Sequence, residues 1–182
     1  MVRQDFRLGF WLNTPLIFDH YRNISNCLEI DHAFIISRCC EASIIRVLKA
    51  ERKNFVKEDD LKNKPLAIVS NHYNGYKPLK HSDNHIRMMY GLDISEWHLQ
   101  EWNNMYDLFL AHGPKDGKIL SERFKKPVYI MGYPKYDNYS CFHKEKNDFK
   151  ISSVAWLPTY GDKISSFTEQ VYLSLKNTFV GS

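Results

Sequence analysis

Two histidines and a tyrosine stand where a short apolar run gives way to polar residues or glycine. His72 follows Leu66-Ala67-Ile68-Val69, Tyr90 follows Ile86-Arg87-Met88-Met89, and His112 follows Leu108-Phe109-Leu110-Ala111. An imidazole near its usual pKa of about 6.5 suits a general base, whereas a phenol, near 10, is a poor one at neutrality. Directly after His112 come Gly113 and Pro114, then Ile119, Leu120 and Phe124 at helical spacing. Proline suits the first helical position, and the free N–H groups of such a helix end attract an anion. A base beside donor groups is what phosphoryl transfer to a hydroxyl requires.

Positioning these residues falls to a strand–turn–helix–strand unit. A second apolar run, Val128–Met131, ends at Gly132-Tyr133-Pro134, about 20 residues beyond the first, the spacing of a βαβ unit in a parallel sheet. Earlier segments repeat the alternation. Leu8–Leu12 reads as a first strand, ending at Asn13-Thr14-Pro15. Ile17, Tyr21, Ile24 and Leu28 then lie on one helix face. Ala33–Ile36 reads as the next strand, followed by a helix from about Glu41 with Ile44, Ile45 and Leu48 inward. Leu66–Val69 and Ile86–Tyr90 complete the set. The expected fold is α/β, a doubly wound, mainly parallel Rossmann-like sheet, with ligands at the carboxyl ends of its strands.

Composition supports a folded chain. Of 182 residues, 43% are hydrophobic and 25% charged, a balance typical of globular domains. The net charge of +4 is mild, and the basic runs Arg52–Lys57 and Lys144–Lys150 are diluted by acids, unlike a nucleic-acid tail. Four cysteines, at 27, 39, 40 and 141, lack the spacing of a zinc site and read as reduced thiols. With no apolar stretch of membrane-spanning length, the expected location is cytoplasmic, at most peripheral at the inner face of a membrane. Residues 1–147 read as one domain. The polar segment Lys144–Lys150 reads as a linker. In 148–182, Val154–Leu157 and the stripe Phe167, Val171, Leu175, Phe179 read as the first strand and helix of an incomplete second domain. Its apolar helix face makes a homodimer one possible outcome.

The order of these turns resembles the CDP-glycerol glycerophosphotransferases, bacterial polymerases of teichoic acid and capsule. The matching pieces are Asn13-Thr14-Pro15, Phe18-Asp19-His20-Tyr21-Arg22-Asn23, Tyr106-Asp107-Leu108 with His112-Gly113-Pro114, Gly132-Tyr133-Pro134-Lys135-Tyr136-Asp137, and Trp156-Leu157-Pro158-Thr159-Tyr160-Gly161-Asp162. The resemblance implies a GT-B fold with an acceptor-side first domain and a donor-binding second domain, of which this chain carries the start. It implies CDP-glycerol or another nucleotide-activated donor, a polymer or lipid-linked acceptor, and no metal or other cofactor. His112, Tyr90 and His72 are then the candidates for handling the acceptor proton. Asn13, Thr14, Gly91, Gly113, Gly132, Pro134, Thr159 and Tyr160 are the candidate substrate contacts. Where the family carries a His-Gly, this chain has Tyr90-Gly91. The alternatives are a GT-B glycosyltransferase or sugar-nucleotide epimerase, and a non-catalytic binding or regulatory domain.

Two further groups invite a chemical reading. If extended, His81-x-Asp83-x-His85 would put three metal-ligand types on one face, although a polar loop accounts for it as well. Lys77 and Lys80, with Tyr73 and Tyr76, lie in a long loop where solvated lysines are the commoner case.

Overall fold

The computed structural model describes residues 5–40, 42–71, 78–91, 94 and 96–137. Among them, seven strands form one sheet and every pair is parallel. They are β1 (Leu8–Leu12), β2 (His32–Ile36), β3 (Phe55–Lys57), β4 (Ala67–Ser70), β5 (His85–Met88), β6 (Leu108–Ala111) and β7 (Val128–Ile130). The order across the sheet is β3-β2-β1-β4-β5-β6-β7. The α/β doubly wound expectation therefore holds.

Strand residues alternate between two buried faces, as a period of two requires. Phe10, Leu12, Phe34, Ile36, Val69 and Met88 pack on one face beneath α1 (Phe18–Cys27) and α2 (Ser43–Ala50). Trp11, Ala33, Ile35 and Ile68 line the other face. There Phe109 and Ala111 meet Leu120 and Phe124 of α3 (Pro114–Phe124). Helices from the first half cover one face, and α3 covers the other. That is the outcome of right-handed crossovers running first one way from β1 and then the other.

The sequence reading missed β3. This three-residue strand lies within the basic run, and only Val56 of it is buried. Asp93–Asn104, rich in Trp and Glu, reads as a loop or a short helix; two 3₁₀ turns begin there, Glu96–Leu99 and Glu101–Met105. Asn103 organises them, its buried side-chain amide donating to the carbonyls of His98 and Gln100. Segment 148–182, with Thr159 and Tyr160, lies outside the described residues, as does Cys141; Cys27 is an exposed free thiol. No helix among the described residues is long and apolar enough to cross a membrane.

The α3 contact tests this packing. Leu120 is fully buried, so Leu120→Ala is expected to cost about 2–5 kcal/mol in urea unfolding. Glu122→Ala, which removes only an exposed i,i+4 pair with Lys118, should shift stability by less than about 0.5 kcal/mol.

Candidate functional site

Because β1 lies between β2 and β4, the chain runs in opposite directions across the sheet from this point, where open α/β sheets bind ligands beyond the carboxyl ends of their strands. Asn13 and Thr14 leave β1 at this point. Thr14 precedes the 3₁₀ turn Pro15–Ile17 with an extended backbone, and its hydroxyl does not cap that turn. At the end of the neighbouring β4, Asn71 is 1% exposed, with neither side-chain amide atom hydrogen-bonded. The register places it one step past Ser70, in the row of Leu12 and Met88.

Further along the same rim, β5, β6 and β7 deliver an imidazole and aromatic cluster. His112 follows β6, and its Nδ1 lies 2.9 Å from the Gly132 carbonyl after β7. A carbonyl oxygen only accepts, so Nδ1 carries the proton and Nε2 of the neutral ring carries the lone pair. Nε2 is buried and has no hydrogen-bond partner. The Tyr133 ring meets His112 edge-on at 4.5 Å, and the Tyr133 hydroxyl donates to the Tyr90 carbonyl at 3.0 Å. Burial and the neighbouring Tyr136 both push the Tyr133 phenol above its ordinary pKa, so it remains a neutral donor. His20 on α1 touches the rings of both Tyr90 and Tyr133.

Gly132 has φ +72°, a conformation that side chains rarely adopt. This turn aims its carbonyl at His112. Gly113 differs: its backbone is extended at φ −146°, and a Cβ there would meet nothing within 4 Å. It leaves open space at the mouth of α3, whose first turn has Pro114 at its start and no side-chain cap. The free N–H groups expected there are present, with Asp116 in the same turn offsetting part of the positive end.

The candidates thus divide into groups. His112, Tyr90, Gly113 and Gly132 converge, with Gly91 next to Tyr90 at the end of β5. Pro134 is buried, and its carbonyl accepts from Asn23 of α1, so it fastens the turn rather than facing a ligand. Asn13 and Thr14 share the rim but leave a strand three positions from β6, about 14 Å away at normal strand spacing. His72, Tyr73, Tyr76 and Lys77 lie outside the described residues. The sequence reading passed over Tyr133 and His20, although both stood inside quoted motifs; neither type at its position announces an aromatic contact with a histidine.

The His81-x-Asp83-x-His85 set does not assemble. His81 and Lys80 each lie 3.3 Å from Glu58, Asp83 lies 3.4 Å from Lys64, and His85 Nε2 is 2.8 Å from the Ser82 carbonyl. Lys80, expected to be merely solvated, is ion-paired. The Glu58 side chain is 4% exposed. Although burial raises its pKa, a backbone N–H bond from Arg38 and the His81 and Lys80 contacts outweigh that and hold it below the ordinary value. This cluster ties the 3₁₀ turn Pro78–His81 to the end of β3, and His81 stacks on Trp11 at 5.5 Å. A groove of about 510 Å³ lies nearby at the β3 edge, lined by Phe55, Lys57, Asp60 and Lys62 among others. It contains none of the rim candidates.

Comparison with protein-family models, curated proteins and solved structures found no match.

Two measurements test this arrangement. Gly132→Ala should lose about 1–2 kcal/mol in urea unfolding from left-handed strain alone, and Gly132→Asn less. Because the folded-state pKa of Glu58 is depressed, its contribution is present above the ordinary carboxyl pKa and fades as pH falls through the folded value. Glu58→Gln should therefore be less stable than wild type at pH 7, with the gap narrowing on acidification below about pH 4.

Proposed function

We propose that this chain is the acceptor-side domain of a GT-B transferase. It would move glycerol phosphate, or a related nucleotide-activated group, from CDP-glycerol or a similar donor onto a hydroxyl of a surface polymer or lipid-linked acceptor. One observation carries this reading: the His112 ring is fixed by Nδ1–H to a carbonyl, while its Nε2 lone pair has no partner.

The step follows from that tautomer. The acceptor hydroxyl gives its proton to Nε2 as its oxygen attacks the activated phosphorus. The bond from phosphorus to the nucleotide's phosphate oxygen breaks, and a nucleoside monophosphate leaves. Charge developing on the imidazole strengthens its bond to the Gly132 carbonyl. The open space at Gly113 and the uncapped start of α3 suit the phosphate oxygens of the group in transfer. Tyr133 covers the histidine, so acceptor entry requires its ring to swing aside, breaking its hydrogen bond to Tyr90. The half-exposed Tyr136 ring lies tilted against that of Tyr133, 4.9 Å away.

The test is nucleoside monophosphate release from CDP-glycerol by the full chain with a polyol-phosphate acceptor. His112→Asn keeps an N–H donor for the Gly132 carbonyl and lacks a basic nitrogen. It is expected to lower kcat about 10²–10⁴-fold with little change in KM. No release by wild type, or an undiminished rate in His112→Asn, would overturn the reading. Turnover of a sugar nucleotide in place of CDP-glycerol would move the protein to the glycosyltransferase class.

A further inference from the structure

On the sheet face opposite α1, Arg87 of β5 is fully buried, and none of its three guanidinium nitrogens has a hydrogen-bond partner. A guanidinium keeps its charge in proteins, and a buried charge lacking an acceptor is strongly disfavoured. The groups against it are two rings, Trp102 at 4.7 Å and Tyr106 at 5.4 Å, and no carboxylate pairs with it. Cation–π contact offsets only part of what an oxyanion would supply.

Its neighbours in the sheet extend the pattern. Ser70 is opposite Arg87 in β4, and its hydroxyl lies 3.0 Å from the Tyr106 hydroxyl. One step beyond the Phe10–Val69 pair, the register sets Trp11 of β1 opposite Ser70. The Trp11 indole is 1% exposed, and its Nε1–H also lacks an acceptor. Trp11 and Arg87 share this face two strands apart, about 10 Å between backbones, a span that the two long side chains can close. The unsatisfied groups in this row are all donors. Unpaired donors on one face of the sheet, beside a fixed positive charge, suit an anion.

We propose that Arg87, with the Trp11 indole N–H and the Ser70 hydroxyl, forms a binding site for a phosphate-type oxyanion. Trp102 is its cover. This ring belongs to the 3₁₀ turn Glu101–Met105, and its partner Trp97, 5.4 Å away, is 46% exposed. Lifting the Trp102 ring exchanges a cation–π contact for charge-assisted hydrogen bonds, the stronger interaction for a desolvated guanidinium. The site lies one residue below the rim and on the other face from His112. It does not depend on the transferase reading.

Thermal unfolding and tryptophan fluorescence of the full chain are to be followed against inorganic phosphate and glycerol 3-phosphate, with sodium chloride at matched ionic strength as control. Saturable stabilisation is expected, about 5–10 °C at a hundredfold excess over Kd, with a fluorescence change as Trp102 moves. Tighter binding of glycerol 3-phosphate would assign the site to an organic phosphate, and equal binding to the free anion. Arg87→Met, similar in length and uncharged, should unfold cooperatively and lose the phosphate response. Should that variant fail to fold, Trp11→Phe keeps the ring on His81 while deleting the N–H, and should weaken binding about tenfold. Phosphate no more effective than chloride on wild type, or an equal response in Arg87→Met or Trp11→Phe, would overturn the proposal.

Discussion

The pairing of β1 with both β2 and β4 is the constraint from which the rest of the molecule follows. A strand flanked by its sequence successor on one side and by a later strand on the other forces the chain to progress in two opposite directions across the sheet. Right-handed crossovers then put the helices of the two halves on opposite faces. At this point Asn13 leaves β1 and Asn71 leaves β4, above a core closed by Phe10 and Val69. The same parallel alignment sends every strand's polar exit to one rim, and His112 and the Gly132 carbonyl meet because their strands are neighbours in register. A one-residue slip of β7 would carry that carbonyl away from the ring.

Most of this sheet was legible in the chain because buried parallel strands are short apolar runs and their exits are glycine, proline and polar residues. Leu8–Leu12, Ala33–Ile36 and Leu108–Ala111 have that form, and each is a strand. Phe55–Lys57 lacks it. At the sheet edge one face is open to solvent, so lysine and asparagine neighbours carry no penalty and the apolar signal shrinks to Phe55 and Val56. The long-range partners of polar side chains were equally hidden. Glu58 reads as one acid among three in sequence, yet it alone is buried, because Lys80 and His81 approach from a segment more than 20 residues away.

The rim cluster was half legible. Histidine after an apolar run and glycine before a proline mark exits, and both exits proved adjacent. What no spacing rule supplies is the role of Tyr133 as a hydrogen-bonded cover, since that depends on the Tyr90 carbonyl, 43 residues away. The His-x-Asp-x-His pattern shows the reverse failure. Its residue types fit a metal, yet each side chain found a local or sequence-distant partner first, because the segment turns at Ser82 instead of running extended.

Two of the unpaired polar groups among the described residues differ in sign. His112 Nε2 is a lone pair awaiting a proton; the Arg87 guanidinium is a positive charge awaiting an acceptor. Each lies under an aromatic ring, Tyr133 over the one and Trp102 over the other, on opposite faces of the same three-strand segment. Rings are suited to this role because they exclude water while making few bonds that must be broken. In each case the ring keeps a polar group out of water without hydrogen-bonding to it. An unsatisfied base and an unsatisfied cation both weaken the resting fold. The strands hold the two groups while the covers sit on loops and 3₁₀ turns, so the sheet can stay fixed as the covers move.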